Sequence, residues 1–204
     1  ASGKGTIAKA LSAHFGLPHL DTGLLYRAVG RQVILNGGDP DDAQDALAGC
    51  TFPDTLLDDP SLRNEETGGL ASRVSVHPLV REALFERQRA FATQVGGAIL
   101  DGRDIGTVIA PEAEAKLFVT ASVEARAQRR FLEMRERGVR VPLLEIADDL
   151  RRRDERDRER TVAPLIPAED AMVLDTSGLG REEAIEAAIA AVEQMAARGR
   201  TGEA

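Results

Sequence analysis

Short apolar runs that alternate with helix-forming segments constrain this chain more than any other feature. Leu17 to Asp21, Ala98 to Asp101, Ala115 to Val119 and Met172 to Asp175 are of strand length and too short for helices. Between and after them the spacing predicts helices over Thr6–Phe15, Leu24–Asn36, Leu79–Val95, Val123–Arg137 and Glu182–Arg198. Gly16 closes the first, Gly37-Gly38 with Pro40 the second, and a glycine pair the third. The stretch from Asp41 to Thr67 has weak periodicity and several turn signals, and it predicts no definite element. Strands that alternate with helices fold as an α/β domain, a parallel sheet with helices on both faces. Ligands of such sheets lie beyond the carboxyl ends of the strands. Asp21-Thr22, Asp101-Gly102-Arg103-Asp104 and Asp175-Thr176 all follow strands, so one crevice should collect them.

The 204 residues are 43% hydrophobic, enough for one compact domain over 1–204. Aromatic residues are only 3% and tryptophan is absent, so the core must be built from Ala, Leu, Val and Ile. A formal net charge of −8 argues against a nucleic-acid surface, which needs a basic face. Cys50 is the single cysteine, which excludes an intramolecular disulfide and a cysteine metal cluster. No apolar run reaches the ~20 residues of a membrane helix, and no secretory signal opens the chain. A monomer in the cytoplasm, with no membrane partner, is the default expectation.

Ser2-Gly3-Lys4-Gly5-Thr6 reads as the tail of a phosphate-binding loop, G-x-x-x-x-G-K-[ST]. Glycines admit phosphate oxygens close to backbone N–H groups, and the helix that follows presents its positive end. Lys4 would reach the β- and γ-phosphates of ATP. Gly5 occupies the place where a hydroxyl often helps to hold Mg²⁺, so no direct protein ligand to the metal is predicted. Asp101, at the end of an apolar strand, would instead position Mg²⁺ through water. The chain begins inside this motif, and an apolar strand with the first loop glycine, about ten residues, is expected ahead of Ala1. The tetrapeptide alone fits a flexible terminus equally well.

Two charged motifs have ordinary readings beside the chemical ones. From Arg151 to Arg160, six arginines interleave with four acids, which on its own suggests a solvated helix laced with ion pairs. Asp101-Gly102-Arg103-Asp104 could be a plain turn, yet an arginine flanked by two carboxylates directly after a buried strand suits an anion site better. His14, His19 and His77 lack metal-ligand spacing and read as structural or surface residues.

The whole series resembles the bacterial cytidylate kinases. The stretches that carry the likeness are Leu20-Asp21-Thr22-Gly23-Leu24-Leu25-Tyr26-Arg27, Ala71-Ser72-Arg73-Val74, Val80-Arg81-Glu82-Ala83-Leu84 and Leu100-Asp101-Gly102-Arg103-Asp104-Ile105-Gly106-Thr107-Val108. Arg153-Asp154-Glu155-Arg156-Asp157-Arg158-Glu159-Arg160, Val162-Ala163-Pro164-Leu165 and Leu174-Asp175-Thr176-Ser177 complete it. The span from Asp41 to Gly69 is shorter than in members that carry a small β-subdomain. The resemblance implies a three-layer P-loop kinase fold with a central parallel sheet, a monophosphate-binding region over 38–95 and an arginine-rich lid over 138–162. It implies transfer of the γ-phosphate of ATP, with Mg²⁺, to CMP or dCMP. Thr22, Arg27 and Arg103 would then bind the acceptor phosphate, and Ser72, Arg81 and Asp104 would read cytosine. Arg153 and Asp157 would contact ribose, Arg160 the base or the transferring phosphate, and Arg156 and Arg158 would close over ATP. Lys4, Arg103, Arg153 and Arg160 would carry the catalysis.

Three alternatives remain on the residues alone. A kinase for AMP, UMP or a small metabolite is separated by its acceptor profile. A non-catalytic nucleotide sensor would be expected to have lost site cations that are retained here. A GTPase switch would need an Asn-Lys-x-Asp element, which the sequence lacks.

Overall fold

A computed structural model describes residues 3–159 and 164–201, with side chains through 198. The first helix, α1 (Lys4–Phe15), begins directly after Gly3, whose φ of 83° is left-handed, and ends on Gly16, whose N–H returns to Ser12 O. The short strand β1 (His19–Asp21) passes at once into α2 (Thr22–Leu35), and the Asp21 carboxylate caps it by accepting from the Leu24 N–H. The stretch without a sequence assignment contains α3 (Ala43–Ala48), two 3₁₀ turns (Asp54–Asp58 and Pro60–Arg63) and the start of α4 (Glu65–Val74). Local caps build both helices. Asp42 accepts from the Gln44 and Asp45 N–H groups, and Asn64 from that of Thr67. These helices are too short for a periodicity to declare itself, which is why capping residues mark them and apolar spacing does not.

The helix α5 (Pro78–Ala92) starts on proline, which suits a first turn that has no use for its N–H. It leads to β2 (Ile99–Asp101), a single π-helical turn over Ile105–Ile109 and β3 (Leu117–Thr120). An antiparallel helix pair follows, α6 (Val123–Glu136) and α7 (Leu143–Arg158), then β4 (Met172–Asp175) and α8 (Arg181–Thr201). The charge block from Arg151 to Arg158 is therefore the last part of a helix, and Arg151 and Arg152 are exposed and paired with Asp148 and Asp149.

All strand pairing among the described residues is parallel, as the alternation requires. β1 pairs with β2, Leu20 opposite Leu100, and β3 pairs with β4, Phe118 opposite Val173. The strands form these two pairs and not one continuous ladder. β2 and β3 flank a cleft of about 1640 Å³ whose walls include Ile7, Leu11, Ile99 and Val119.

Three apolar clusters organise the layers. Leu25, Val29 and Val33 of α2 pack with Ala71 and Val74 of α4 and Val80 and Leu84 of α5. Gly30 makes this approach possible, because a Cβ there would stand 2.7 Å from that of Leu70. Ile7 and Leu11 of α1 pack with Ala184 and Ala188 of α8 beside the strands. The C-terminal helix thus has the packing role its Ile185, Ile189 and Val192 spacing predicts. Ala127 of α6 with Ile146, Ala147 and Leu150 of α7 forms a separate cluster. No helix among the described residues is long and apolar enough to cross a membrane.

Candidate active site

The cleft gathers residues from α1, both strand pairs, α2, the π turn and α7. The head of α1 forms part of its wall. Its first-turn N–H groups, from Lys4, Gly5 and Thr6, have no partner within the helix and point with the positive end of the helix dipole. Lys4 Nζ meets Asp101 Oδ1, and His19 Nε2 lies 2.8 Å from Asp101 Oδ2. The burial of Asp101 pushes its carboxyl up. The His19 hydrogen bond and the Lys4 charge outweigh this and hold it below the ordinary carboxylate range. Thr22 is buried and donates from Oγ1 to the Asp101 carbonyl at 2.9 Å, locking the start of α2 to the end of β2. Gly102 allows this contact, because a side chain there would collide with Thr22 and Ile105.

Several cations line the cleft together. Arg27 donates to the carbonyls of Leu62 and Asn64 at 2.7 and 2.8 Å. Burial lowers its pKa against the opposing pull of Asp21, and the charges of Arg103, Arg130 and Arg63 lower it further. Arg103 pairs through Nε with Asp157, whose side chain is only 3% exposed. The pKa of Arg153 falls to about 9, first through burial and then through the charge of Arg103, with Asp157 opposing. Its Nε has no hydrogen-bond partner. Asp157 offsets this repulsion only in part, so a further anion beside these arginines would relieve a remaining cost.

Arg81 and Asp104, also in the cleft lining, form a pair with side chains 8% and 5% exposed. Arg81 also donates to Ser75 O at 3.2 Å, and its guanidinium lies 5.5 Å from the centre of the Tyr26 ring. Ser72 is buried on the same helix end, with its hydroxyl unpartnered, between Ala71 and Ser75, which line the cleft. Of the arginines expected to close over ATP, Arg158 lines the cleft while Arg156 is exposed outside it. Ser2 and Arg160, with Val162 and Ala163, lie outside the described residues.

The fold therefore brings together Lys4, Asp101, Thr22, Arg27, Arg103, Arg153, Asp157, Arg81 and Asp104. It adds residues that the sequence reading did not single out. Arg130, on α6, is paired with Glu65 and acts electrostatically on both Arg27 and Arg153. The i,i+4 spacing of Arg126 and Arg130 puts both on one helix face, yet in sequence that spacing reads as solvated charge. His19 was read as structural, and only the parallel register reveals that its ring reaches Asp101.

The sequence profile of the cytidylate kinase family matches residues 1–194. The chain belongs to the cytidylate kinase family. Curated relatives named cytidylate kinase include one from Cereibacter sphaeroides, 55% identical over 98% of this chain and 94% of the relative. Another, from Methylocella silvestris, is 53% identical over 95% of this chain and 90% of its own length. A third, from Xanthobacter autotrophicus, is 54% identical over 95% of this chain and 93% of the relative. This membership fits the parallel strand pairs, the left-handed Gly3 at the head of α1 and the arginine-lined cleft.

Proposed function

We propose that this chain transfers the γ-phosphoryl group of ATP to CMP or dCMP, giving ADP and CDP or dCDP. The observation that carries the reading is that one cleft is lined by three kinds of group. They are the head of α1 with Lys4, the cations Arg27, Arg103 and Arg153, and the buried Arg81–Asp104 pair. These suit the donor phosphates, the acceptor phosphate and the cytosine ring respectively.

Phosphoryl transfer asks the protein chiefly for alignment and charge neutralisation. The attacking oxygen belongs to a phosphate already ionised at neutral pH, so no general base is needed. Lys4 and the α1 N–H groups hold the donor phosphates, while Arg27 and Arg103 hold the acceptor, with Thr22 at its edge. Arg153 adds positive charge where the two meet, and Arg160 is assigned there from its motif. Asp157 receives the ribose hydroxyls. Cytosine offers an amino donor to Asp104 and its N3 and O2 acceptors to Arg81, with Ser72 able to rotate its hydroxyl to suit.

The donor set fits Mg²⁺ held at second hand. Asp101 has both carboxylate oxygens engaged, and no group of three or more His, Cys, Asp or Glu among the described residues could hold a metal. Mg²⁺ bound to the phosphates, reached from Asp101 through water, would neutralise charge that develops during transfer. The segment 38–95 forms the monophosphate-binding region. The segment 138–162 serves as a lid whose Arg158, with Arg156 when it swings inward, excludes water from the transferring group.

A coupled ADP-release assay across CMP, dCMP, UMP, AMP and GMP tests the reading. Turnover with CMP and dCMP should exceed all others. Preference for AMP, or ADP release that ignores the acceptor, would refute it.

A further inference from the structure

The two partners of Asp101 are held very differently. Lys4 reaches Oδ1 from the end of a flexible side chain that is 35% exposed. His19 reaches Oδ2 from within β1, and its ring is only 13% exposed. Parallel pairing sets its position, with His19 opposite Ile99 and Leu20 opposite Leu100, and the Ile99 N–H donates to Pro18 O at 2.8 Å. The ring and the carboxylate thus sit on neighbouring strands whose spacing the backbone fixes.

The phosphates of ATP would draw Lys4 away, because a polyphosphate carries more charge than one carboxylate. Asp101, with a side chain 4% exposed, would then keep only the partner that cannot leave. We propose that His19 is a positioning residue of the phosphoryl-transfer site. Its Nε2–H pins Oδ2 of Asp101 and so presents Oδ1, the oxygen Lys4 gives up, toward the water shell of Mg²⁺ on the donor phosphates. A carboxylate without this anchor could turn about its Cβ–Cγ bond and share its oxygens among other donors. Outer partners that orient a metal-directed carboxylate commonly matter by about 10–100-fold. The inference rests on the reading of the chain as an ATP-dependent kinase.

The experiment compares His19→Leu, which fills the space without a donor, with His19→Gln, whose amide nitrogen can stand near the Nε2 position. In His19→Leu, kcat should fall about tenfold while KM for CMP stays within about twofold. Calorimetry supplies a readout apart from activity. The factor by which Mg²⁺ tightens ADP binding should fall about tenfold in His19→Leu and recover to within about threefold in His19→Gln. A ring that only fills space predicts the reverse order, with leucine tolerated and glutamine disruptive, and that result would overturn the proposal. So would an unchanged Mg²⁺ factor in folded His19→Leu. Should that variant fail to fold, ¹⁵N spectra of the wild-type imidazole decide, since an Nε2 without its proton cannot donate to Asp101. Wild-type protein that forms no ADP with any acceptor would sink the kinase reading itself, an outcome distinct from all of these.

Discussion

Arg153 is a cation the ligand-free protein holds at a cost, and replacing it with methionine should stabilise the fold while damaging function. Burial, with the charge of Arg103, lowers its pKa from the ordinary arginine range to about 9. At about 1.4 kcal/mol for each tenfold change in proton affinity, the full drop corresponds to about 5 kcal/mol against the charged form. The side chain keeps some contact with water, however, and solvent screens part of that cost. About 1–2 kcal/mol is the effect expected for Arg153→Met, which leaves the aliphatic stem and removes the charge. For a chain of this size that raises Tm by about 2–8 °C without ligand. The sign with pH follows from the direction of the shift. A cation whose folded pKa is lowered destabilises fully below that value, and the penalty fades as pH rises through about 9 toward the ordinary arginine range. The advantage of the variant should therefore be constant near pH 7 and narrow beyond pH 9. Saturating CMP should reverse the ranking, because the acceptor supplies the anion the arginines lack. Thermal unfolding of both proteins, with and without CMP, at pH 7 and pH 10, is the assay. A ligand-free Arg153→Met that melts below wild type, yet gains as much as wild type from CMP, would refute the reasoning.

Other perturbations separate the remaining roles. Lys4→Ala and Arg103→Ala should each lower turnover by about 10³-fold or more with little change in Tm, and unchanged turnover in folded Lys4→Ala would remove it from the mechanism. Hydrogen exchange over 138–159 should be faster than in β1–β4 without nucleotide and slow when ATP and CMP are added; equal protection in both states would exclude a lid. UMP would set a carbonyl oxygen against Asp104 and a ring N–H against Arg81, costing on the order of 1–3 kcal/mol per mismatched group. The CMP-to-UMP ratio should therefore shrink in Asp104→Ala, mainly through weaker CMP. Arg81→Met should weaken CMP while sparing KM for ATP, and a ratio untouched by both changes would limit the pair to a structural role.

What could be read in the sequence depended on how local its cause was. The helices α1, α2, α5, α6 and α8 have enough turns for apolar spacing to accumulate, and their observed limits lie within a few residues of the expected ones. Each strand was visible as an apolar run but came out two or more residues shorter at one end in β1 and β3. The helix α4 was hidden because Gly68 and Gly69 interrupt its pattern, and only the Asn64 cap and packing on α2 establish it. In the site, residues that follow strands or occupy a motif could be assigned from type and position. Arg130 and His19 could not, since one acts from a helix otherwise rich in surface charge and the other depends on strand register. No one-dimensional pattern reports that two side chains 82 positions apart share a hydrogen bond.

The resting arrangement of these groups also limits how the ligands can arrive. Lys4 rests on Asp101, Arg81 on Asp104, Arg103 on Asp157 and Arg130 on Glu65, while Arg27 rests on two carbonyls. At Lys4, Arg81 and Arg103 a nucleotide contact is thus an exchange, in which one anion replaces another, and its net worth is smaller than the bare attraction. The exchange at Arg103 has a consequence for motion. Asp157 belongs to α7, within the lid segment, whereas Arg103 follows β2 in the body of the protein. An acceptor phosphate that draws Arg103 away loosens one of the ties between α7 and the body, unless the ribose of the same nucleotide engages Asp157 in its place. A complete nucleotide can do both, while inorganic phosphate can do only the first. CMP should therefore protect the end of α7 from hydrogen exchange, and phosphate at saturating concentration should leave it less protected than CMP does. Equal protection by the two ligands would mean that Asp157 holds its position without the ribose.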